Sequence, residues 1–461
     1  MKKRNTYMVL GILAAVLAGC KDPQPADDKP SSVDYDGLVI TEVAANDGQE
    51  EAASWIEILN SSDRNMTLSG LGIFIYDEYF EGKKIASIDN RTLLAGRRMV
   101  LSTEDEGLVT GFSSSADFRI VLGVSADAPI DCFSRSEAGI SEPHARYGSY
   151  QKLPENDGEW KVTSQATRKM ENIDVKPNAI WMWSSHLDQW IDNDFAVLKR
   201  MKQLGYDHIL LNYNAFDDAL KVEKTKSLIA AAEEQGMLVH AWIQCFYNGG
   251  KWINPIEKID DKTGRYKQEE FDRIIANAHR YLDDFGVRGI HLDYIRFSGV
   301  NANAAYNNNY DNGVTASGAV TEFCRQLRQS IDSRPEGVIL SAAMMAEENA
   351  LRYYGQSPSL MGQYLDILMP MIYRYHSKGA YGEEWMKKMS RLFTEYTDAQ
   401  VWAGITTYDY VYGTETVSGL EPSEIRADAE VFLDTNCTGL VLFRYALGDF
   451  PDVNDLWDNR Q

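Results

Sequence analysis

A short stretch near the middle of the chain joins an apolar run to residues that could do chemistry. Residues 289–292 read Gly-Ile-His-Leu, which is typical of a fully buried strand, and Asp293, Tyr294 and Arg296 follow at once. Such groups are costly to bury without partners, and a buried strand that turns polar at its carboxyl end is typical of the active face of a parallel barrel. Asp293 could instead cap the next helix, because Asp is a favoured cap residue. The aromatic residue and the arginine that follow favour a functional site.

The chain from residue 178 onward alternates between short apolar runs and amphipathic helical runs. Eight apolar runs in about 280 residues predict the strands of a (β/α)8 barrel. An open doubly wound sheet is the alternative, and it is disfavoured because the sequence contains no G-x-G-x-x-G motif and no P-loop. The predicted strands are Ile180–Trp183, His208–Asn214, Met237–Cys245, Gly289–Phe297, Val338–Met344, Ile367–Tyr373, Val401–Thr407 and Gly439–Arg444.

Polar and aromatic residues recur at the carboxyl ends of these predicted strands, where a barrel places its reacting groups. Aromatic rings stack on the C–H faces of sugars, and amide, imidazole and guanidinium groups hydrogen-bond to hydroxyl groups. Core packing explains about half of the aromatic residues individually, but it does not explain polar groups on strand after strand. The sequence therefore predicts a cleft for a poly- or oligosaccharide. The predicted substrate-binding residues are Trp183, Asn212, His240, Trp242, His291, Arg296, Tyr373, Tyr408 and Arg444.

Two carboxyl groups are needed to hydrolyse a glycosidic bond, one ionised and one protonated near neutral pH. The predicted catalytic pair is Asp293, after the fourth strand, and Glu347, after the fifth, with Glu348 as the alternative to Glu347. Arg296 could hold Asp293 ionised as a counter-charge, or it could form a salt bridge that only fixes the loop. A separation of about 5 Å between the carboxyl groups would predict retention of configuration, and about 6.5–9.5 Å would predict inversion. Asp366 opens the sixth strand and is predicted to be structural, at the opposite end of the barrel.

The stretch Gly289–Phe297 resembles the D-Y-I-R-[FY] signature of bacterial glycosyl-hydrolase-like barrels. Residues 354–356 and 365–373 resemble the segment between the fifth and sixth strands of the same group, so the resemblance spans most of residues 178–450. It implies a (β/α)8 barrel and glycoside hydrolase activity. No cofactor and no metal ion are predicted. The histidines do not occur in the pairs at short spacing that are typical of metal sites, which disfavours metal ligation.

Comparison with two hydrolase patterns assigns roles to the carboxylates. In chitinase-type barrels the fourth strand ends in D-x-D-x-E, and here His291, Asp293 and Ile295 occupy those positions. The acid of that motif is therefore absent. The arrangement of α-amylase-like barrels fits better, and this resemblance implies Asp293 as the nucleophile and Glu347 as the proton donor.

Residues 37–172 carry many short strand-like runs separated by turn residues, which predicts an all-β sandwich. Residues 39–46, 55–60, 68–70 and 145–148 resemble the lamin-tail domain of bacterial secreted proteins. The resemblance implies an immunoglobulin-like sandwich that serves as an accessory or adhesion module. The alternative is a spacer that holds the barrel away from a membrane.

The first 19 residues are typical of a secretory signal, with a basic start at residues 2–4 and an apolar run at residues 8–17 that is too short for a membrane span. Residues 17–20, Leu-Ala-Gly-Cys, resemble a bacterial lipobox, which implies cleavage before Cys20 and a membrane anchor through its lipidated thiol. Residues 20–36 are rich in Pro, Asp, Ser and Lys and predict a flexible tether. Together these features predict an outer-membrane or cell-surface lipoprotein, with a periplasmic orientation as the alternative.

The chain of 461 residues has a formal net charge of −22, which becomes −25 when the three basic residues of the signal are removed. Such a field disfavours nucleic acid and strongly polyanionic substrates.

Taken together, the motifs of residues 178–461 predict a glycoside hydrolase barrel. Two alternatives stay open: a non-catalytic glycan-binding lipoprotein on a degenerate barrel, and a metal-dependent polysaccharide deacetylase, which the ligand spacing disfavours.

Overall fold

A computed structural model gives the fold of most of the chain. The predicted signal peptide, Cys20, most of the tether and residues 145–147 of the lamin-tail-like motif lie outside the described residues. The described residues are 34–46, 53–89, 91–103, 107–144, 148–163, 166–168, 172, 177–299, 308–331, 334, 337–375, 381–397 and 399–457.

Antiparallel sheets form the N-terminal part of the structure. One sheet has five strands in the order β11-β10-β1-β2-β7, another has four in the order β5-β4-β8-β9, and β3 pairs with β6. The two larger sheets pack together, as shown by Phe133 of β9 and Tyr150 of β10, whose ring centroids are 5.4 Å apart. The strands are β1 (Leu38–Ala44), β2 (Trp55–Asn60), β3 (Met66–Leu68), β4 (Leu71–Tyr76), β5 (Glu81–Ile88), β6 (Arg91–Leu93), β7 (Arg98–Ser102), β8 (Arg119–Ser125), β9 (Ala128–Ser134), β10 (Ser149–Leu153) and β11 (Glu159–Thr163).

Eight parallel strands close into a barrel in the C-terminal part. Each barrel strand is a short apolar run, as both faces of such a strand are covered. The order around the barrel is β12 (Asn178–Met182), β13 (His208–Asn212), β14 (Leu238–Gln244), β19 (Gly289–Asp293), β20 (Ile339–Met344), β21 (Ile367–Pro370), β22 (Gln400–Thr406) and β25 (Gly439–Phe443). Three hairpins lie between them: β15 (Tyr247–Asn248) with β16 (Lys251–Trp252), β17 (Ile256–Lys258) with β18 (Gly264–Tyr266), and β23 (Tyr408–Tyr410) with β24 (Val417–Gly419). The prediction of an N-terminal β region followed by a (β/α)8 barrel is confirmed.

Helices surround the barrel, and their apolar faces pack on the outward-facing strand residues to form the main core. Four of the described helices are followed by a glycine in the left-handed conformation that closes a helix, namely Gly205, Gly236, Gly286 and Gly355. The described helices are α1 (Leu187–Gln203), interrupted by non-helical residues 192–195, α2 (Asn214–Asp217), α3 (Val222–Glu234), α4 (Gln268–Phe285), α5 (Ala316–Ile331), α6 (Ala350–Tyr354), α7 (Pro358–Met361), α8 (Glu383–Thr394) and α9 (Pro422–Glu430), with 3-10 turns at Ser184–His186 and Val431–Asp434. Over the part of the chain that is described, no helix is both long and apolar enough to cross a bilayer.

The inward-facing strand residues fill the barrel with a second, smaller core. Since side chains alternate along a strand, every second residue points inward, and the inward residues stack in layers. Gly289 leaves room for the ring of His240 on the neighbouring strand, because a Cβ at residue 289 would lie 2.1 Å from His240 Nδ1. The barrel is therefore a packed core whose last layer, at the carboxyl ends of the strands, borders the candidate site.

The N-terminal sheets contact the barrel at the opposite end, where the strands begin. Arg97, just before β7, forms an ion pair of 2.9 Å with Asp366, the residue before β21. Gln400 Nε2 of β22 donates to the carbonyl oxygen of Thr167 at 3.0 Å. A cavity of ≈ 700 Å³ lies between the two parts at this end and is lined by residues that include Arg91, Arg97 and Asp366. The sheets are thus joined to the end of the barrel that carries no candidate catalytic residue.

Candidate active site

Asp293 is the last residue of β19, and its half-buried carboxylate lies at the carboxyl end of the barrel. Trp242 Nε1 donates a hydrogen bond to its Oδ2 at 3.0 Å, and the Tyr294 N–H donates to its Oδ1 at 2.6 Å. Burial raises the pKa of Asp293 above its ordinary value, while these two donors and the charge of Arg296 act in the opposite direction. The ionised form is hydrogen-bonded, yet burial still makes protonation easier than in water.

The backbone turns sharply directly after this carboxylate. Tyr294 has a φ of 51°, which a residue with a side chain seldom adopts. Strain of this kind costs on the order of 1–3 kcal/mol and tends to occur at functional sites. The turn places the Tyr294 ring against Tyr247, with centroids 4.8 Å apart and the rings nearly parallel.

Arg296 lies among aromatic rings beside the carboxylate. Its guanidinium carbon is 4.6 Å from the ring centroid of Trp252, 5.0 Å from that of Tyr354 and 5.7 Å from that of Tyr294. Among the described residues, Arg296 forms no salt bridge. Its Nη1 donates a hydrogen bond to the Phe297 carbonyl oxygen at 3.1 Å. Its charge nevertheless lowers the pKa of Asp293 against the effect of burial. The geometry favours the counter-charge interpretation over a loop-fixing salt bridge.

Glu347 and Glu348 differ in their surroundings. Glu347 is half-buried, and its Oε1 accepts a hydrogen bond of 2.9 Å from the Tyr354 hydroxyl. Glu348 is exposed and forms an ion pair with Lys388 of α8. Both Asp293 and Glu347 act electrostatically on Arg296, whose pKa is lowered by burial and raised by these two carboxylates. Glu347 is therefore the glutamate that belongs to the cluster around Arg296.

Further aromatic residues lie across the barrel from this cluster. Tyr373 stacks on Phe443 with centroids 5.5 Å apart, and the Arg444 guanidinium lies 5.5 Å from the Trp183 ring centroid. Burial raises the pKa of Tyr373 well above its ordinary value, and the negative charge of Asp293 adds to this effect. Tyr373 follows β21, so both residues lie at the carboxyl end of the barrel.

Trp183, Trp242 and Tyr408 complete the predicted residues at this end of the barrel. Trp183 lies 5.4 Å from Trp242, edge to face, and its buried Nε1–H has no hydrogen-bond partner among the described residues. Tyr408 is largely buried, and its hydroxyl is 3.4 Å from that of Tyr375. The unsatisfied donor of Trp183 is a group that a substrate hydroxyl could satisfy.

His291 lies one layer deeper than Asp293, inside the barrel. Because an indole N–H can only donate, the bond of 3.0 Å between Trp181 Nε1 and His291 Nε2 requires the imidazole proton on Nδ1. That nitrogen is 2.9 Å from Ser341 Oγ and donates to it. Burial lowers the pKa of His291 well below its ordinary value. Both ring nitrogens are occupied by protein partners, so His291 acts as support beneath the site.

His240 and Asn212 are also fully buried in the barrel interior. His240 Nε2 and His208 Nδ1 are 2.9 Å apart, and burial lowers the pKa of His240 to about 4. His240 therefore stays neutral near pH 7. Asn212 Oδ1 accepts from the Asn214 N–H at 3.3 Å, while its Nδ2 has no partner among the described residues. The structure does not bring His240 to the open face with Asp293.

Several residues of the site were not among the predicted site residues. Tyr354 ends the short helix α6, and Tyr247 and Trp252 lie on the hairpin β15–β16. These elements lie between barrel strands, where the pattern of the barrel strands carries no information about contacts. The Tyr354-Gly-Gln356 motif was a usable signal, because Gln356 is fully buried. Its Oε1 accepts from the Met345 N–H at 2.9 Å, and its Nε2 donates to the Ala343 carbonyl oxygen at 3.1 Å. These bonds fix the loop that carries both Tyr354 and Glu347.

No cluster of three or more histidine, cysteine, aspartate or glutamate side chains suited to holding a metal ion occurs among the described residues. A second cavity, of ≈ 380 Å³, lies beside the site and is lined by residues that include Asn309, Glu348 and Arg352. Asp293 lines neither this cavity nor the one at the opposite end.

Residues 263–391 match the model of a family described as "Putative glycosyl hydrolase domain". This segment runs from β18 to α8 and includes both Asp293 and Glu347. No curated protein matches the chain.

Three solved structures illustrate the similarity to known folds. The Bacillus cereus spore cortex-lytic enzyme SleL is 12% identical, over 66% of this chain and 77% of that chain, with a TM-score of 0.44. Catalytic domain 2 of the Ostrinia furnacalis Group II chitinase is 12% identical, over 59% and 90%, with a TM-score of 0.42. The glycoside hydrolase domain of PgaB (BpsB) from Bordetella bronchiseptica is 12% identical, over 58% and 94%, with a TM-score of 0.41.

Proposed function

We propose that the barrel hydrolyses O-glycosidic bonds of a poly- or oligosaccharide, with Asp293 and Glu347 as its carboxylate pair. The observation that carries the proposal is the cluster in which Arg296 lies among aromatic rings and interacts electrostatically with both carboxylates. The segment that holds this cluster matches a glycosyl hydrolase family model. Aromatic rings around the carboxylates provide the apolar surfaces on which sugar rings stack.

In the proposed mechanism Asp293 attacks the anomeric carbon and Glu347 protonates the leaving oxygen. The N–H groups of Trp242 and Tyr294 hold the Asp293 oxygens in place, and the positive charge of Arg296 favours the ionised form of Asp293 before it attacks. The Tyr354 hydroxyl orients Glu347. A water molecule, deprotonated by Glu347, then releases the sugar from Asp293 with net retention.

The raised pKa of Asp293 makes the reverse assignment chemically possible, with Asp293 as the proton donor. Two variants separate these roles. Aryl glycosides with a very acidic leaving group need no protonation, so they should restore bond cleavage to Glu347→Gln but not to Asp293→Asn. If these substrates restored bond cleavage only to Asp293→Asn, Asp293 would be the proton donor and Glu347 the nucleophile.

The first experiment is reducing-sugar release by the full chain in detergent from soluble starch, laminarin, xylan, hydroxyethyl cellulose, mannan and glycol chitin. The wild type should release sugar from at least one polymer, and Asp293→Asn should not. Glu348→Gln is the matched control for Glu347→Gln, because its exposed carboxylate is paired with Lys388. Release that persists in Asp293→Asn would show that the proposed pair is wrong.

A non-catalytic glycan-binding protein is the second candidate function. One observation favours it: Ile295 stands where chitinase-type barrels carry their acid, and its side chain is fully buried in the core between barrel and helices. Binding of a polysaccharide by the wild type and Asp293→Asn alike, without sugar release by either, would favour this function.

We also propose that the protein is anchored through lipid on Cys20 at the outer membrane or cell surface, and that residues 37–172 are a lamin-tail domain. Residues 17–20 and the tether composition support the anchor, and the antiparallel sheets are compatible with the lamin-tail assignment. Cys20→Ser should leave the protein unlabelled by radioactive palmitate in cells and should release it from the membrane fraction. Equal labelling of both forms would exclude this anchor.

A further inference from the structure

Two hairpins rise from opposite sides of the barrel at the end that carries Asp293. The hairpin β15–β16 follows β14, and the hairpin β23–β24 follows β22. In the closed order of eight strands, β14 and β22 are four strands apart, which places them across the barrel from each other. Asp293 ends β19, the neighbour of β14.

The first hairpin carries aromatic rings next to Asp293. Tyr247 lies 4.8 Å from Tyr294 in a nearly parallel stack, and Trp252 lies 5.3 Å from Tyr247. Trp252 retains 37% of its surface exposed, with Arg296 beside its ring. These residues form a partly exposed aromatic surface directly after the carboxylate.

The second hairpin adds a tyrosine cluster on the other side. Tyr375 lies 5.1 Å from Tyr410 and 6.0 Å from Tyr408, and it is 6.2 Å from Tyr373, which follows β21 at the same end of the barrel as Asp293. Tyr412, in the turn of this hairpin, is 86% exposed, so packing in the core does not account for it. Aromatic side chains therefore lie on two opposite sides of the barrel at the end that carries Asp293.

This arrangement suits a chain that continues past the reacting bond on both sides. A site for chain ends needs contacts on one side only, whereas sugars bound on both sides of Asp293 would use both hairpins. The bound groups would be uncharged, because aromatic rings and tyrosine hydroxyls recognise neutral sugars and the net charge of −22 repels polyanions.

We propose that the two hairpins form the ends of an open cleft that binds an internal segment of an uncharged polysaccharide, which makes the enzyme endo-acting. The inference rests on the proposed function for the reaction itself. The binding part is tested separately, in a protein that cannot turn over, so that failure of the hydrolase proposal and failure of the cleft proposal give different results.

The binding test uses Asp293→Asn, as the full chain in detergent, in native gels containing each neutral polymer of the panel. At least one polymer should retard the protein, and polygalacturonate, a polyanion, should not. Adding Trp252→Ala or Tyr412→Ala should weaken retardation by that polymer about three- to tenfold each, the effect expected for one lost aromatic contact. Tyr396→Ala is the matched control, because Tyr396 is 60% exposed and lies between α8 and β22, at the opposite end of the barrel.

Three binding results would overturn the cleft. They are the absence of retardation by every neutral polymer, retardation that neither hairpin variant weakens, and retardation that Tyr396→Ala weakens as much as Tyr412→Ala does. Where the active protein releases sugar, the viscosity of the polymer solution should fall before much reducing sugar appears, as expected for cuts within chains. Release of only mono- or disaccharides from the start would overturn endo action while leaving the hydrolase proposal intact.

Discussion

Two aspartates at opposite ends of the same barrel have opposite electrostatic surroundings. Asp366, at the end where the strands begin, forms ion pairs with Arg328 and Arg97 and accepts the Leu340 N–H at 2.8 Å. Burial alone would raise the pKa of Asp366, but both arginines and this N–H together lower it. Asp293, at the other end, has no salt bridge among the described residues, and burial raises its pKa.

The difference separates a carboxylate that holds the structure together from one that is available for chemistry. Asp366 has its charge satisfied by protein partners, and one of them belongs to the N-terminal sheets. Asp293 faces a space lined by aromatic rings, with hydrogen bonds to each oxygen but its charge only partly offset. If arginines paired with Asp293 as they do with Asp366, the charge of Asp293 would be fully offset. If Asp366 lost its arginines, it would no longer hold the structure together.

The largest expected effect comes from Asp293→Asn, which should lower kcat/KM at least about a thousandfold, because a carboxylate that reacts or transfers a proton is lost. Its free energy of unfolding should not fall near pH 7, since the change removes a buried charge. Sugar release and urea unfolding measure the two quantities. A large loss of stability would mean that Asp293, like Asp366, is a carboxylate that holds the structure together.

Asp366→Asn should lower the free energy of unfolding by about 3–5 kcal/mol at pH 7, because it leaves Arg328 buried without its counter-charge. The kcat of the folded enzyme should be unchanged. Because the folded pKa of Asp366 is depressed, its stabilisation is present above the unfolded pKa of about 3.9 and is lost as the pH falls through the folded pKa. The difference from wild type in urea unfolding should therefore shrink at the most acidic pH values.

Glu42 tests whether a raised pKa by itself marks a site. Burial raises its pKa to about 7, while Ser149, Gln151 and Thr167 donate hydrogen bonds to it within the N-terminal sheet region. The folded pKa exceeds the unfolded value, so the wild type should lose stability as the pH rises from about 4.3 to about 7, by on the order of 3 kcal/mol. Glu42→Gln should abolish this dependence in urea unfolding and leave kcat unchanged. A change in kcat would connect this sheet to the reaction.

The smallest expected effect belongs to Arg97→Ala, which removes the ion pair between the sheets and the barrel. About one third of the Arg97 side chain is exposed, so solvent screening limits the loss in free energy of unfolding to about 1 kcal/mol. Arg91→Ala is the control, because Arg91 is exposed and, among the described residues, its guanidinium hydrogen-bonds only to Met99 Sδ, at 3.7 Å. Equal effects of the two variants in urea unfolding would mean that the Arg97 ion pair contributes no stability.

Much of the barrel could be predicted from the sequence because local pattern determines it. Each barrel strand is an apolar run, and the predicted strands overlap the observed ones with differences of a few residues at their ends. The sequence also predicted that Asp293 ends a buried strand and that Asp366 opens one. The sequence also predicted that His240 and His291 bind substrate, whereas the structure buries both in the barrel interior. A strand pattern does not show at which layer an inward side chain becomes accessible.

Local sequence pattern was enough to predict three features: the alternation of strands and helices, the β character of the N-terminal region and the carboxylate at the end of the fourth barrel strand. These depend on the spacing of apolar and turn residues along the chain. Tertiary structure alone decided that Tyr354 holds Glu347, that Arg296 lies among aromatic rings, and that Arg97 reaches Asp366 across 269 residues of sequence. The physical reason is that these contacts arise from closure of the barrel and from loop conformation, which bring together side chains that no local pattern relates.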